Sequence, residues 1–175
     1  MAKQKNKTNN YQALTLIIGP WKKYIPDYRR KILISEVLNQ LVYHENLKIK
    51  GYLITKRRVC LILDIEKEHL NHLLKVLYKK VEESAREYIH QSLHPCRLGL
   101  WEERPEEEEY ESQRLKVFKR CAFTNFFLID LLLGKKVELG YYNPHVARLK
   151  DMVRNYPYCS AGDYRGEMGP VVVAV

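Results

Sequence analysis

No apolar run in this chain reaches the roughly 18 residues that a helix needs to cross a bilayer, so no membrane-spanning helix is expected. Cysteine is scarce. The four residues, at positions 60, 96, 121 and 159, lie far apart and form no CxxC pair. That spacing excludes a disulfide framework and a zinc ribbon. The polar start MAKQKNKTNN lacks the apolar stretch of a signal peptide, and a reducing cytoplasm is the expected setting. GxGxxG, Walker A, GxSxG and HExxH patterns are missing, which leaves nucleotide-binding, serine-hydrolase and zincin readings without support. His69 with His72, and His90 with His94, could each share a helix face. No third ligand is spaced to join either pair, and Pro95 ends the helical pattern before His94, so these read as surface histidines. Cys121 and Cys159 read as ordinary thiols.

Acidic residues are also in short supply over most of the chain. The 30 Lys and Arg face 21 Asp and Glu, and seven of those Glu fall in one segment, WEERPEEEEYE (101–111). Residues 1–58 carry 13 Lys or Arg against three acids. A basic half of this kind suits a polyanion such as nucleic acid, or else forms a solvated face. The acidic run reads as a solvated loop, because like charges repel and extend a chain. It could also mimic phosphate and cover the basic face when no DNA is bound. Thirteen tyrosines are many for 175 residues. Tyr24, Tyr28, Tyr141, Tyr142, Tyr156, Tyr158 and Tyr164 sit beside basic or loop segments, where they could stack on bases or simply pack loops.

The length suits one domain, with its own core. Residues 1–10 are expected to be a disordered basic arm and 11–169 a single domain carrying the acidic loop 101–111. Residues 170–175 would form a C-terminal strand or tail. YQALTLIIG (11–19) alternates and predicts a strand. Gly19, Pro20 and Pro26 make the next stretch a loop. Ile34, Val37, Leu38 and Leu41 recur at helical spacing and predict a helix from about Arg30 to His44. The segment 47–65 is rich in Ile, Leu and Val and is broken by Thr55, Lys56, Arg57 and Arg58, which predicts a hairpin of strands 48–54 and 58–64. Leu70, Leu73, Leu74, Leu77, Val81 and Ala85 form the stripe of a long helix over 66–91. RLKVFKRC (114–121) predicts a fourth strand, and Thr124 is the expected N-cap of a helix that Gly134 ends. Tyr141 to Gly169 reads as loop, and the terminal VVVAV as an edge strand. The order β-α-β-β-α-β with a terminal α region predicts an α+β, ferredoxin-like fold: an antiparallel sheet with helices packed on one face.

Two segments carry a resemblance. Gly51-Tyr52-Leu53-Ile54-Thr55-Lys56-Arg57-Arg58-Val59-Cys60-Leu61-Ile62-Leu63 resembles the hairpin Gly-Tyr-Val-Ile-Met-Pro-Asn-His-Val-His-Leu-Leu-Leu of the single-tyrosine HUH transposases, the insertion-sequence-200-like and REP-associated group. Asn143-Pro144-His145 through Asn155-Tyr156-Pro157-Tyr158-Cys159-Ser160 resembles that group's Asn-Pro-Val…Asp-Tyr-Pro-Trp-Ser-Ser tail, with no gap between the two pairs. Asp163 and Tyr164 fit the residues usual after that tail, and the element order fits over about 11–166.

The resemblance implies a DNA transposase of mobile elements. In such an enzyme a divalent metal polarises the scissile phosphate, and a tyrosine attacks the phosphorus to form a covalent link to DNA. Two strand histidines with one residue between them point the same way and hold the ion. Here those positions are Arg58 and Cys60. Arginine has no lone pair to offer, and one thiolate beside a guanidinium does not make a magnesium or manganese site, so no metal is expected. The position of the family's tyrosine is Leu139; Tyr141 and Tyr142 lie two and three residues away and are the catalytic candidates.

The leading expectation is thus a transposase-like protein that binds single-stranded or hairpin DNA without cleaving it. Lys22, Lys23, Arg29, Arg30, Lys56, Arg57 and Arg58 would contact phosphates, with Arg58 gripping one bidentately. The resemblance also implies a homodimer whose sheets join across a two-fold axis. One alternative is an active nickase using Tyr141 or Tyr142. Another is a protein-interaction or dimerisation module that uses the loop 101–111 and the VVVAV edge.

Overall fold

The computed structural model describes residues 11–93 and 116–174. The expected basic arm (1–10) and acidic loop (101–111), with His94 and Cys96, lie outside the described residues.

Four strands form the sheet: β1 (Tyr11–Ile18), β2 (Lys48–Ile54), β3 (Arg58–Asp64) and β4 (Phe118–Ala122). Helix α1 (Asp27–His44) joins β1 to β2, and α2 (Lys67–Leu93) comes after β3. The sheet order is β2-β3-β1-β4, and every neighbouring pair is antiparallel. This is the α+β arrangement that the element order predicts, with β1 and β3 central.

Side-chain alternation gives the sheet two buried faces. Leu14, Leu16, Ile18, Val59, Leu61 and Leu63 point to the first, where α1 and α2 bring Ile34, Leu38, Leu41, Leu74, Leu77 and Val81. Cys60 and Ile62 point to the second. They meet Leu128, Leu132, Val153 and Ala161 from helices α3 (Phe126–Leu132) and α4 (Pro144–Asn155) and the segment after them. The long helices therefore share one face, as expected, and the C-terminal region covers much of the other.

The segment expected to be loop is the clearest departure. Pro144–Asn155 is a helix. Asn143 is its N-cap, and its Oδ1 accepts from the backbone N–H groups of His145 and Val146 at 3.0 and 3.3 Å. Pro144 occupies the first turn, where a missing N–H costs nothing. A proline that reads as a breaker is here a starter. The cap of α3 is likewise Asn125 and not Thr124: its Oδ1 accepts from Leu128 N at 3.1 Å. Gly134 does end α3, at φ 70°. Its N–H bonds to Leu131 O at 3.1 Å, and Lys135 N to Asp130 O at 2.9 Å, the paired bonds of a left-handed helix stop.

The outer edge of β2 is covered. Ile54 N donates to Tyr158 O at 3.0 Å, and Ser160 N to Tyr52 O at 3.0 Å. The buried Ser160 hydroxyl accepts from Tyr52 N at 3.0 Å and donates to Leu132 O at 2.7 Å, tying strand, tail and α3 together. Residues 171–174 form no regular strand, although they lie on this same edge. Ala174 N bonds to Ile49 O at 2.8 Å, and Asn39 of α1 holds Pro170 O and Val172 N at 2.9 and 2.8 Å. Val171 is buried and Val172 is 42% exposed, so this segment packs on the fold and still shows one apolar side chain outward.

Tyr52 is fully buried, and its hydroxyl lies 3.4 Å from Asp163 Oδ2. Burial, then the negative charge of Asp163, raises the Tyr52 phenol well above its ordinary range. A folded pKa above the unfolded one stabilises fully below the unfolded value, near 10, and the gain is lost as pH rises beyond it. Stability is therefore expected to fall above pH ~10 by up to about 1.4 kcal/mol per pH unit on account of this one group. Urea titrations from about pH 8 to 11.5 check it. The wild-type curve should steepen relative to Tyr52→Phe; parallel curves would remove Tyr52 as the cause.

Candidate nucleic-acid interface

Antiparallel pairing brings three separate basic segments to one end of the sheet. β1 ends at Ile18, whose N–H bonds to Arg57 O in the β2–β3 turn at 2.9 Å. The next N–H, of Gly19, bonds to Val117 O at 2.9 Å, just ahead of β4. A short 3-10 turn, Pro20–Lys23, then presents Lys22 and Lys23. Lys22, Lys23, Arg29, Lys56, Arg57 and Arg58 are all exposed. Thr55 holds the turn: its hydroxyl donates to Arg58 O at 3.0 Å and accepts from Arg58 N at 3.2 Å.

Arg30 departs from the expected phosphate contact because it is buried, at 4% exposure. Its Nη1 donates to Lys22 O and Ile25 O at 2.7 and 2.6 Å. Its Nη2 reaches Asp27 Oδ1 at 3.1 Å and Lys56 O at 3.4 Å. One guanidinium thus joins the Lys22 loop, the first turn of α1 and the hairpin turn. It positions the exposed cations and does not join them. Arg29 lies outside, its guanidinium 5.8 Å from the ring centre of Tyr28 and 5.9 Å from that of Tyr88. Lys31 lies between Asp27, at 2.8 Å, and the rings of Tyr156 and Tyr158, at 5.4 and 5.6 Å. Partial burial works against the Lys31 ammonium, but Asp27 and Tyr156 outweigh it and raise the pKa.

Cys60 does not fit a metal. It is 2% exposed inside the second core, with Thr15 Oγ1 3.8 Å from its sulfur. Burial pushes its thiol above the ordinary range, while the Thr15 hydrogen bond and the Arg58 charge pull only partly the other way. Cys159, paired across β2 through Leu53, is pushed up to about 11 by burial. Both are therefore protonated thiols near neutral pH, whereas a metal takes the thiolate. Arg58 shares the Cys60 side of the strand but stands exposed as a cation. Among the described residues no group of three or more His, Cys, Asp or Glu is placed to hold a metal ion. No helix among them is long and apolar enough to cross a membrane.

Tyr141 and Tyr142 are 69% and 83% exposed and stand just before α4. That helix is 12 residues, or about 18 Å, long, and its far end leads to the Tyr158–Ser160 segment beside the hairpin. No hydrogen bond among the described residues joins either tyrosine to Arg58. The structure does bring in residues that sequence reasoning passes over: Lys116, Lys119 and Ile17, all exposed at the same end of the sheet. The strand alternation of VFKRC carries the signal, because a buried Phe118 puts Lys119 on the opposite face. No protein-family model, no curated protein and no solved structure matches this chain.

Proposed function

We propose that the protein binds single-stranded or hairpin DNA at this basic end of the sheet and does not cut it. One observation carries the reading: six exposed cations from three segments are gathered by backbone pairing and by a buried arginine committed to holding them. Phosphate neutralisation by Lys and Arg supplies most of the affinity of such sites. The resemblance to single-tyrosine transposases points to the same partner. Cleavage is not expected, because the two positions that match the family's metal ligands hold a guanidinium and a buried thiol. A homodimer formed by joining sheets would use the β4 edge, because the outer edge of β2 is already paired with the chain's own tail.

Titration of a labelled hairpin oligonucleotide at about 50 and 200 mM salt tests the reading. If all six cations engage, log K should fall with log salt at a slope of about −4, from roughly 0.7 per contact on a single strand. With manganese present, a denaturing gel should show no covalent band. A band abolished by Tyr141→Phe or Tyr142→Phe would establish the nickase instead. No binding at low salt would leave the protein-interaction module.

A further inference from the structure

Building on the nucleic-acid reading, we propose that a single strand crosses the open end of the sheet's second face, with Arg58 and Lys119 holding its backbone on either side of Ile17. The register places these three side by side. Ile17 pairs with Arg58 of β3 on one side and with Lys119 of β4 on the other. All three point away from α1 and α2, because their neighbours Ile18, Val59 and Phe118 fill the core on that side. Two strand spacings separate the cations, roughly 10 Å between their Cα positions.

Burial along this face changes over two residues. Thr15, flanked in register by Cys60 and Cys121, is 8% exposed, whereas Ile17 is 39% exposed. The C-terminal layer therefore closes the face up to Thr15 and leaves the Ile17 row open. A ligand on this row has to run across the strands, from the hairpin turn towards β4, and not along them. β1, β3 and β4 contain a single acid, Asp64, which pairs with Tyr11 at the far end of β1, so these strands place no carboxylate on the row.

An exposed branched apolar side chain between two cations selects for a single strand. Unpaired bases present apolar faces that Ile17 can cover while the cations take the backbone. A duplex keeps those faces stacked inside, and Ile17 gains nothing from it.

Arg120 supplies the control. It sits on the same strand but on the opposite face, where its Nη1 bonds to Asn71 of α2 at 3.2 Å. Lys119→Glu and Arg120→Glu make the same change in charge one residue apart. With a labelled oligothymidine as probe, Lys119→Glu is expected to lower affinity about tenfold and to flatten the salt dependence, while Arg120→Glu changes it less than about twofold. Ile17→Thr, which keeps strand propensity, should weaken the oligothymidine and leave a duplex of equal length unaffected. Lys119→Gln serves if the reversal disturbs the fold, which thermal melts would show. Equal effects of Lys119→Glu and Arg120→Glu would overturn the crossing. If the wild type binds and only Lys56→Glu or Arg57→Glu weakens it, the loop cluster stands and the crossing falls. If the wild type binds no oligothymidine at low salt, both fall together.

Discussion

Arg30→Ala is expected to cost about 3 kcal/mol of stability and to weaken DNA binding, although Arg30 itself is hidden from any ligand. The side chain is 4% exposed and donates to three backbone carbonyls and to Asp27. Truncation leaves Ile25 O, a buried acceptor, without that donor, at about 1–3 kcal/mol, and takes a weaker contribution from the part-buried Lys22 O and Lys56 O. Asp27 loses less, because it keeps Lys31 at 2.8 Å. The effect on binding is geometric. Arg30 is the link between the loop bearing Lys22 and Lys23 and the turn bearing Lys56 and Arg57. Without it the two halves of the cluster lose their common register. Arg30→Lys should rescue little, since one ammonium cannot reproduce a planar fork that reaches four acceptors. Urea unfolding and oligonucleotide titration, the latter under conditions where the variant is folded, separate the two effects. Arg58→Glu, on an exposed side chain, should show the reverse pattern: weaker binding with stability nearly unchanged. An Arg30→Ala protein with wild-type stability would show that the guanidinium holds nothing together.

The role of Arg30 is partly legible in the sequence. It lies four residues before Ile34, on the stripe that continues through Val37, Leu38 and Leu41, so helical spacing alone puts it on the buried face. Its charge argues for the surface, and the spacing prevails because the loop carbonyls stand ready to satisfy the charge. The hairpin is legible to the residue, 48–54 and 58–64, because its apolar runs are long and its turn is wholly polar. The long helix after it is legible within two residues for a similar reason, a stripe sustained over several turns. α4 escapes a sequence reading because its stripe of Val146, Leu149 and Val153 is thin, and Pro144 stands where a breaker would. The gathering of cations has no local pattern at all. It depends on β1 lying between β3 and β4, a pairing between residues far apart in the chain.

Trp21→Ala should be the most damaging single change, at about 3–5 kcal/mol. The sequence places Gly19, Pro20 and Trp21 in what reads as a simple loop; in the fold they are where β4 joins the sheet. Trp21 is 1% exposed, donates from Nε1 to Val117 O at 2.8 Å, and meets the Phe118 ring edge-on at 6.4 Å. Gly19 brings the backbone so close that an added Cβ would lie 1.7 Å from Lys116 O, so only glycine fits without moving the strand entry. The indole therefore provides both the bulk under β4 and a hydrogen bond that fixes its first residues. Trp21→Phe keeps most of the bulk and loses the N–H. It should cost about 0.5–1.5 kcal/mol for the lost hydrogen bond, since Val117 O keeps the Gly19 N–H at 2.9 Å, plus a small packing loss. The order alanine, then phenylalanine, then wild type in urea midpoints is the check, and equal midpoints for the two variants would assign the whole effect to the N–H. Because β4 carries Lys119, both variants should also lose oligonucleotide affinity before they unfold. The loss should exceed that of Arg120→Glu, since loosening the entry of β4 moves the cation that flanks Ile17 without changing any charge.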